Sequence, residues 1–470
     1  MADYKIYFGG EFMETSRRLN VVNPYNQQVV ATTYQAGPEE LEYAITKAER
    51  VKTELKNIPA YKRYEILMQI ATELKTNREQ LAKVLCMESA KPMRYALGEI
   101  DRAAQTFLVA AEECKRLPKE YLSLDWTPAG EGKEGLVKYF PIGLVAGIAP
   151  FNFPMNLAVH KIAPAIAAGC PIILKPASST PLSTLELAKI IDKTALPKGA
   201  ISIIPMDRKA GNQLVTDERF NLLSFTGSPV VGWEMKRNAG KKKVILELGG
   251  NAAVIITPTA DVEKAIAKCI VAGFSYSGQI CIHAQRFMVH ESVFKNFTNS
   301  FISAAQKLKQ GDPLSADTEV SNMIDEENAK RVEAWVNEAV QQGAQLLLGG
   351  KRTGNFVEPT ILTNTTKEMD VCSKEVFGPV VIIEKYNTFA EAIDMVNDSD
   401  FGLQAGVYTV NELEINAAFN NIETGGVIIN DVPTFRVDHM PYGGVKDSGL
   451  GREGVKYAIL DMMEARILVK

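Results

Sequence analysis

Short apolar strands that alternate with helices constrain the fold of this chain more than any other feature. Two helical stretches, residues 157–168 and 185–195, separate the strands. The strand-like runs are almost entirely apolar: 143–148, 171–175 and 200–204. Strands buried on both faces and joined through helices form a parallel sheet that helices cover on both sides. The sequence therefore predicts a doubly wound α/β sheet, whose ligands bind beyond the carboxyl ends of the strands.

A second α/β series follows Glu247, and the chain of 470 residues is long enough for two or three structural units. Residues 262–274 and 329–342 have helical patterns, and residues 380–384 read as a strand. The chain closes with a strand-like run at 465–469. Such a terminal strand often adds to a partner's sheet, so we expect a homo-oligomer.

Composition excludes several kinds of partner. The chain has 52 lysine and arginine residues against 56 aspartate and glutamate residues, a net charge of −4, which argues against nucleic acid. Its six cysteines form no C-x-x-C pair, which argues against a metal site and for a reducing compartment. There is no signal-peptide pattern, and no apolar run reaches the roughly 18 residues of a membrane span. We therefore expect a cytoplasmic protein with neither a metal nor a membrane partner.

One glycine-containing turn is the candidate site for a dinucleotide. Apolar residues 222–224 lead into the turn at 225–228, and a helix begins near Pro229. Backbone N–H groups at the start of a helix can bind a pyrophosphate, although the same pattern is common as a purely structural turn. The one G-x-G-x-x-G motif, at 449–454, is the poorer candidate, because only 16 residues follow it and no buried strand precedes it.

Residues that follow two other strands favour NADP over NAD. Lys175 and Ser178 end one buried strand, and Arg208 and Lys209 follow the next. An acidic residue directly after the first strand would bind a ribose 2′-hydroxyl and repel a 2′-phosphate, and none occurs there. The alternative is a solvent-exposed strand end that binds nothing.

Cys281 is the candidate nucleophile among the six cysteines. It ends the segment 278–281, where we expect a turn before a helix. The dipoles of such a turn favour a thiolate, which a reactive cysteine needs. Cys269 lies on the apolar face of a helix and Cys170 begins a buried strand. Both are interpreted as inert core thiols.

Glu247 and Asn152 are candidates for the other catalytic groups. Glu247 lies in the apolar run 244–248, and burial raises the pKa of a carboxyl group toward the range that suits a general base. Asn152 follows an apolar strand, where an amide donor can stabilise an oxyanion. The structural alternatives are an ion-paired glutamate and a turn asparagine before Pro154.

Seven motifs together resemble the aldehyde dehydrogenase superfamily over essentially the full chain, and most closely its lactaldehyde, glycolaldehyde and succinate-semialdehyde dehydrogenase branch. They stand in the family's order: PFNFP at 150–154, KPAS at 175–178, FTGS at 225–228, LELGGN at 246–251, GQIC at 278–281, EVFGP at 375–379 and PYGGVK at 441–446. The resemblance implies an aldehyde dehydrogenase-like α/β fold with a small β oligomerisation arm. The implied parts are a doubly wound NAD(P)-binding domain (1–119 and 139–247), a second α/β catalytic domain (248–448) and oligomerisation segments (120–138 and 449–470) of a homodimer or homotetramer.

The resemblance also implies a mechanism. Cys281 attacks the carbonyl carbon of a small aldehyde, Asn152 and the backbone N–H of Cys281 hold the oxyanion, and hydride passes to NAD(P)⁺. Glu247 then activates the water that hydrolyses the thioester to the carboxylic acid. The residues implied in binding NADP or NAD are Ile148, Pro150, Phe151, Lys175, Ser178, Arg208, Gly211, Phe225, Gly227, Ser228, Val231, Gly232, Leu248, Gly249, Glu375 and Phe377.

Five residues are candidates for binding the rest of the aldehyde: Arg102, Phe153, His160, Ile280 and Arg436. Arginine suits a carboxylate, sulfonate or phosphate tail. The alternatives are that Arg102 pairs with Glu99 or Asp101, that His160 is structural and that Arg436 is a surface charge. Relatives that act on phosphonoacetaldehyde or glyceraldehyde 3-phosphate tend to carry arginine directly before the nucleophile. Ile280 takes that place here, which favours lactaldehyde or glycolaldehyde over a strongly anionic substrate.

Two other functions are weighed against hydrolytic aldehyde oxidation. The first is a semialdehyde dehydrogenase that acylates coenzyme A. The resemblance implies that such members generally lack a glutamate at the position of Glu247, so the presence of Glu247 favours hydrolysis. A non-catalytic family member would have no need of Cys281, Glu247 and Asn152.

Overall fold

Alternation of apolar strands with helices produces two mainly parallel sheets in the computed structural model, which describes residues 2–470. A three-stranded antiparallel sheet and three other small sheets of two or three strands accompany them. The strands before residue 248 are β1 (Ala2–Asp3), β2 (Ile6–Phe8), β3 (Glu11–Met13), β4 (Arg18–Val22), β5 (Val29–Tyr34), β6 (Lys119–Ser123), β7 (Glu134–Pro141), β8 (Leu144–Ile148), β9 (Ile172–Lys175), β10 (Ile201–Ile203), β11 (Phe220–Thr226) and β12 (Lys243–Glu247). The helices of this part are α1 (Pro38–Asn57), α2 (Ala60–Thr76), α3 (Arg78–Ser89), α4 (Met93–Glu113), α5 (Pro154–Ala168), α6 (Leu182–Asp192), α7 (Arg208–Thr216) and α8 (Pro229–Asn238).

The rest of the chain continues the pattern. Its strands are β13 (Ala252–Ile256), β14 (Ala284–His290), β15 (Gln345–Leu348), β16 (Arg352–Thr353), β17 (Phe356–Val357), β18 (Thr360–Thr363), β19 (Val380–Tyr386), β20 (Phe401–Gly402), β21 (Gln404–Tyr408), β22 (Gly426–Ile429), β23 (Val445–Lys446), β24 (Gly449–Leu450) and β25 (Met463–Val469). Its helices are α9 (Val262–Phe274), α10 (Glu291–Ala305), α11 (Glu326–Gln341), α12 (Asp370–Ser373), α13 (Phe389–Asn397), α14 (Glu412–Asn421) and α15 (Val455–Asp461), and short 3₁₀ turns lie at Pro128–Gly130 and Ser275–Gly278.

The first sheet has the doubly wound order that the sequence predicts. Its eight strands lie in the order β24-β12-β11-β8-β9-β10-β2-β3. The chain enters at β8, adds β9 and β10 on one side, and then returns to add β11 and β12 on the other, all in parallel. Where a parallel sheet changes direction in this way, the loops at the carboxyl ends of the strands separate and leave a crevice for a ligand.

The second sheet follows Glu247, also as predicted. Its order is β15-β18-β19-β14-β13-β21-β22, and every pair from β18 to β22 is parallel. The predicted helices at 262–274 and 329–342 correspond to α9 and α11. The two sheets meet at the end of β12, where Glu247 precedes the Gly249-Gly250 turn into β13.

The third sheet is the arm, in the order β25-β7-β6. The C-terminal strand β25 therefore pairs along its whole length with β7 of its own chain. Residues 449–461, predicted as part of an oligomerisation segment, lie elsewhere. Here β24 pairs with β12 at the edge of the first sheet, and α15 packs on α4 and α5 through its apolar face. The arm in this structure therefore contains β25 but not the glycine-rich segment before it.

Arg286 is a buried cation that joins elements of the second sheet. Its guanidinium, in β14, donates hydrogen bonds to the backbone carbonyls of Asn251, Met395 and Val396 at 2.9–3.2 Å. These bonds connect β14 to the start of β13 and the end of α13. Buried carbonyl groups need donors, and few other side chains could reach all three at once.

Replacing Arg286 with methionine should destabilise the protein. The Arg286→Met variant leaves these carbonyls without their donor, and we expect the free energy of unfolding to fall by about 3 kcal/mol, on the basis of about 1–3 kcal/mol for each unsatisfied buried group. Urea unfolding followed by tryptophan fluorescence measures the change. The control is Arg78→Met, which removes an exposed ion pair with Asp101 and should barely move the midpoint. Equal midpoints for the two variants would contradict the role of Arg286.

Candidate active site

Two cavities lie along the carboxyl ends of the parallel strands of the first sheet. The first, of about 810 Å³, is bordered by many of the residues predicted to bind a dinucleotide: Ile148, Lys175, Ser178, Arg208, Gly211, Phe225 and Val231. The second, of about 570 Å³, is bordered by Cys281 and Asn152 and by nearly all the others: Pro150, Phe151, Gly227, Ser228, Leu248, Gly249, Glu375 and Phe377. Gly232 borders neither cavity. A Cβ atom there would lie 2.4 Å from the Leu248 side chain, so its part is to let α8 pack closely.

The start of α8 lies between these cavities and can hold a pyrophosphate. Gly227 and Ser228 border the second cavity, and Val231, one turn into the helix, borders the first. Backbone N–H groups at the start of a helix favour an anion, and the start of this ten-residue helix borders both cavities. The Glu375 carboxylate at the second cavity can accept hydrogen bonds from a ribose. The residues present therefore fit a dinucleotide that spans both cavities.

Acidic and basic groups both border the first cavity. Lys175, Arg208 and Lys209 are basic, whereas Asp207 and Glu234 are acidic. The Asp207 carboxylate already accepts a hydrogen bond from the backbone of Ala210 at the start of α7. Burial lowers the pKa of Lys175, and the charge of Asp207 partly opposes this shift.

A strained turn brings Cys281 to the second cavity. The turn Ser275–Gly278 ends α9, and its residues Tyr276 and Ser277 have left-handed φ values of 47° and 53°. Non-glycine residues adopt this conformation at a cost of about 1–3 kcal/mol each, and such strain is concentrated at functional sites. Gly278 continues the turn, with a φ of 70°. A Cβ atom there would lie 2.0 Å from the carbonyl oxygen of Gly378, so only glycine fits.

Gly250 allows the turn after Glu247 to lie close against the segment that carries the thiol. A Cβ atom at Gly250 would lie 2.3 Å from the carbonyl oxygen of Cys281. The N–H of Gly250 donates to the Glu375 carboxylate at 2.9 Å. Burial raises the pKa of Glu375 to about 7, and this hydrogen bond and the charge of Arg331 oppose the shift. The LELGGN, GQIC and EVFGP motifs therefore meet at one point.

The Cys281 thiol contacts the hydroxyl of Tyr442, with Sγ and Oη 3.2 Å apart. Burial raises the pKa of the thiol to about 11. The negative charges of Glu375 and Glu247 contribute to this rise in pKa, whereas the hydrogen bond with Tyr442 and the charge of Arg436 oppose it. The predicted turn is present, but the predicted helix after Cys281 is wrong, because the segment that follows is β14. The dipole of a following helix therefore does not favour this thiolate.

Asn152 is fixed beside the nucleophile by both of its polar ends. Its side-chain NH₂ donates to the carbonyl of Gln279 at 3.0 Å, and its side-chain oxygen accepts from the N–H of Phe153 at 3.1 Å. Its backbone carbonyl accepts from the buried ammonium of Lys91 at 2.6 Å. An NH₂ group has two donors, so the second N–H stays available to an oxyanion in the cavity.

Glu247 ends β12 and is buried, with 3% of its surface exposed. Neither of its carboxyl oxygens has a hydrogen-bond partner among residues 2–470. Burial raises its pKa well above the ordinary range, and the nearby charge of Glu453 adds to the shift. Arg436 and Lys161 oppose it. The predicted general base is therefore a desolvated carboxyl group without a direct ion pair, so the alternative of an ion-paired glutamate is wrong.

Glu453 and Lys161 form a second buried pair beside Glu247. The Lys161 ammonium lies 3.6 Å from a Glu453 oxygen, and it donates to Ser224 and Thr226 of β11 at 3.0 and 2.8 Å. Burial raises the pKa of Glu453, but the charges of Lys161, His160 and Arg436 outweigh burial and lower it to about 2. Of two neighbouring buried carboxyl groups, Glu453 is therefore ionised and Glu247 holds its proton more tightly.

Arg102, His160 and Arg436 converge on one buried network. Arg102 Nη2 and His160 Nε2 bind the same oxygen of Asp438, at 2.8 and 2.9 Å. Arg436 Nη2 donates to Glu453 at 3.0 Å and lies 3.5 Å from His160 Nε2. Burial lowers the pKa of His160, and the charge of Arg436 adds to this, so His160 favours its neutral form.

The alternatives considered for the two arginines are wrong. Glu99 pairs with Lys91, and Asp101 pairs with Arg78, so neither is the partner of Arg102. The Arg436 side chain is only 6% exposed and is not a surface charge. Within the described part of the chain, the Nε atoms of both arginines and Nδ1 of His160 are buried without a hydrogen-bond partner.

The apolar substrate candidates lie beside the thiol. Phe153, Ile280 and Cys281 belong to a small cluster with Tyr276 and Tyr442. Of the other cysteines, Cys170 and Cys269 are buried, and burial raises the pKa of both, in agreement with their interpretation as core thiols.

Sequence reasoning missed several groups of the site: Lys91, Lys161, Trp335, Asp438, Tyr442 and Glu453. Lys161 offered a signal, since it is the one charged side chain in the apolar stretch 157–168 and a buried charge requires a partner. Glu453 lies inside the G-x-G-x-x-G motif, where the sequence predicts no dinucleotide site and therefore draws no attention to a buried charge. For Trp335, which borders the second cavity from α11, no local signal exists.

Comparison with known proteins agrees with this geometry. The sequence matches the aldehyde dehydrogenase family over residues 12–468. It is 44% identical to a 3-sulfolactaldehyde dehydrogenase from Priestia aryabhattai, over 99% of this chain and 98% of that protein.

Two solved structures superpose closely on the chain. Aldehyde dehydrogenase 21 from Physcomitrella patens, in complex with the reaction product succinate, is 45% identical with a TM-score of 0.98, over 100% of this chain and 98% of that one. Glyceraldehyde-3-phosphate dehydrogenase GapN from Methanocaldococcus jannaschii, complexed with NADP, is 39% identical with a TM-score of 0.93, over 97% of this chain and 100% of that one. The fold and the family predicted from the seven motifs are confirmed, and the chain belongs to the aldehyde dehydrogenase family and is an NAD(P)-dependent enzyme of that family.

Proposed function

We propose that this enzyme oxidises a short aldehyde with an anionic tail, such as 3-sulfolactaldehyde or succinate semialdehyde, to the carboxylic acid. One observation carries the proposal. Arg436 stacks on the Tyr442 ring, Arg102 joins the same network through Asp438, and the Nε–H groups of both arginines are buried and have no partner within residues 2–470. Unpaired buried donors are costly, so they favour a ligand with acceptor oxygens.

The tail would bind between Arg102, His160 and Arg436. The cations Arg102, Arg436 and Lys161 face the carboxylates of Asp438 and Glu453. While Glu247 holds its proton, one of these three cations has no anionic counterpart, and a substrate anion would supply the negative charge. The acceptor geometry of a carboxylate or sulfonate suits arginine donors. The names of the sulfolactaldehyde-oxidising and succinate-bound relatives support this substrate class.

In the first half of the reaction, Cys281 attacks the aldehyde carbon. The S–C bond forms while the π pair of the carbonyl moves to oxygen, where the free N–H of Asn152 and the backbone N–H of Cys281 stabilise the negative charge. Bound NAD(P)⁺ supplies the hydride acceptor that converts the adduct into a thioester. Phe153 and Ile280 keep the reacting carbon in an apolar surrounding.

In the second half, Glu247 takes a proton from water as the water oxygen attacks the thioester. The carboxylate must be ionised to do this, and burial together with Glu453 disfavours its charge. A base whose pKa lies near the working pH is the most effective one. The C–S bond of the resulting adduct breaks, the carboxylic acid leaves, and the proton held by Glu247 passes to the sulfur through solvent, which restores the thiol and the carboxylate.

Three further interpretations are weighed against this proposal. An uncharged substrate such as lactaldehyde or glycolaldehyde is favoured by Ile280, which replaces arginine directly before the nucleophile. The partly exposed Arg102 and the buried Arg436 supply positive charge from other elements, which favours an anionic tail. Acylation of coenzyme A and a non-catalytic role are disfavoured by the desolvated carboxyl group of Glu247, which suits activation of water.

For the cofactor we propose a preference for NADP over NAD. Lys175, Arg208 and Lys209 border the first cavity together with the hydroxyl of Ser178. The nearest acid after β10, Asp207, is already engaged by the start of α7 and by Arg17. Arg208 pairs with Glu234 at 3.8 Å, so Lys175, Lys209 and the Ser178 hydroxyl are the groups that would bind a 2′-phosphate.

We also propose that the enzyme forms a homodimer or homotetramer. Tyr121 of the arm sheet, Trp126 in the connection from β6 to β7 and much of β25 are exposed, and the two aromatic residues are 80% and 89% accessible. Exposed aromatic residues are typical of surfaces that bind protein. A second copy of this chain is the partner proposed for the arm.

A cytoplasmic location stays a proposal. It is supported by the six cysteines, all of which carry free thiols. No helix of residues 2–470 has the length and apolar character to cross a membrane.

Removing either arginine should weaken binding of anionic aldehydes selectively. For Arg102→Ala and Arg436→Met we expect the KM for succinate semialdehyde and 3-sulfolactaldehyde to rise about tenfold or more, since a hydrogen bond to a charged group contributes about 1.5–3 kcal/mol. The KM for propanal should change little. Production of NAD(P)H at 340 nm measures both, and Arg94→Ala on the same helix as Arg102 is the control. A wild-type enzyme that prefers lactaldehyde, or equal KM changes for propanal, would contradict the anionic tail.

Replacing Glu247 with glutamine should separate the two half-reactions. Glu247→Gln keeps the shape but cannot take a proton, so a rapid burst of NAD(P)H should precede a slow steady state. In the wild type, deacylation should accelerate with rising pH above the usual carboxyl range, because the raised pKa delays ionisation. Stopped-flow absorbance measures both phases, and Glu384→Gln on β19 serves as the control. Unchanged steady turnover would exclude Glu247 as the deacylation base.

A carboxylate at position 178 should select against NADP. In Ser178→Glu the added charge would repel a 2′-phosphate, and we expect the KM for NADP to rise about tenfold while that for NAD changes less. Ser179→Glu adds the same charge one residue away and serves as the control. Initial rates with each cofactor test the proposal, and equal KM changes for NAD and NADP would argue that Ser178 does not face the 2′ position.

A further inference from the structure

The hydroxyl of Tyr442 is in hydrogen-bond contact with the nucleophile in this structure. Its oxygen lies 3.2 Å from Cys281 Sγ, and both side chains belong to the same apolar cluster. Only 3% of Tyr442 is exposed, so water does not compete freely for the contact. A phenol can donate one hydrogen bond and accept others, so the hydrogen bond between the phenol and the sulfur can reverse its direction when the thiol ionises.

The charged groups around Cys281 leave a need for such a donor. Glu375 and Glu247 face the thiol from two other segments, and their negative charges oppose its ionisation. Arg436 favours ionisation, but its guanidinium stacks on the far side of the Tyr442 ring, 3.6 Å from the ring centre. The segment after Cys281 is a strand, so no following helix contributes a dipole.

Of the two groups in contact, Tyr442 keeps its proton. Burial raises its pKa well above 10, and the charge of Cys281 adds to the shift. The O–H group can therefore donate to the thiolate in a charge-assisted hydrogen bond, which is stronger than a neutral one. The guanidinium of Arg436 against the ring face holds the phenol in place.

We propose that Tyr442 is a catalytic residue whose hydroxyl donates a hydrogen bond to the Cys281 thiolate and stabilises it before attack on the aldehyde. The thiol proton passes to water in the cavity, and Tyr442 loses no proton. When the S–C bond forms, the carbonyl π pair moves to oxygen and the hydrogen bond from Tyr442 is released. The proposal rests on Cys281 being the nucleophile of the proposed function.

Alkylation of Cys281 by iodoacetamide tests the proposal without any aldehyde. Only the thiolate reacts, so its rate below the thiol pKa rises about tenfold per pH unit. For Tyr442→Phe we expect about tenfold slower alkylation of Cys281 between pH 7 and 9, which corresponds to a further rise of about one pKa unit. Mass spectrometry of the Cys281 peptide follows the reaction. Unchanged or faster alkylation of the variant would overturn the proposal.

Two further variants separate hydrogen bonding from packing. Tyr408→Phe removes a phenol hydroxyl from the core cluster that contains Cys269, far from the cavity, and should leave Cys281 alkylation unchanged. Replacing Tyr442 with 3,5-difluorotyrosine, a more acidic donor of nearly the same shape, should make alkylation faster than in the wild type. If the rate of Cys281 alkylation does not rise with the acidity of the group at position 442, and thermal unfolding is the same in all variants, Tyr442 acts through packing alone.

The same measurement distinguishes this proposal from the proposed function. If Cys281 alkylation responds to Tyr442 but no tested aldehyde produces NAD(P)H, the proposed function fails and the thiolate contact stands. The wild type could instead oxidise aldehydes while Tyr442→Phe alkylates at the wild-type rate and forms its NAD(P)H burst at the wild-type rate. In that case the Tyr442 proposal fails and the proposed function stands.

Discussion

Burial raises the pKa of both reactive groups of the site, the partly exposed thiol of Cys281 and the buried carboxyl of Glu247. The resting site therefore disfavours the anionic form of each group, whereas the chemistry needs an anion at each in turn. The arrangement around them follows from this constraint. Each anion requires a partner that stabilises it when it forms and that carries no fixed opposite charge in direct contact.

The partners differ because the two groups meet different elements. The thiol follows a glycine turn and precedes a strand, so its stabilisation comes from a side chain, Tyr442. Glu247 ends a strand at the seam between the two parallel sheets, and its surroundings are set by the charges of Glu453, Lys161 and Arg436. A direct ion pair would hold Glu247 ionised but would also lower its basicity. Charges of both signs that lie near Glu247 without forming an ion pair with it leave the carboxyl group free to exchange its proton.

Features that depend on local periodicity or on contiguous motifs could be read from the sequence. The strands before Asn152, Lys175 and Gly227 are short, apolar and separated by helices, so their parallel order and the crevice at their ends follow from rules of connection. The segment after Cys281 could not be read in this way. Residues 284–290 contain Gln285, Arg286 and His290, which weaken the apolar pattern, although β14 lies in the middle of the second sheet. Arg286 is tolerated there only because backbone carbonyls of two other segments surround it, and no local pattern reveals that.

The charged network illustrates the same limit for the site. The sequence predicts Arg102, His160 and Arg436 as substrate residues from their chemistry, but the alternative partners that it offers for Arg102, Glu99 and Asp101, are neighbours on its own helix, since proximity in sequence is the only geometry available. The actual partner, Asp438, lies 336 positions away. A rule would have improved the reading: each charged residue in an apolar stretch requires a buried partner. Applied to Lys161, it calls for an acidic residue elsewhere, and Glu453, enclosed by glycines that let backbone approach closely, is such a residue. A glycine-rich motif that fails as a nucleotide site can therefore still mark a buried charge that the active site needs.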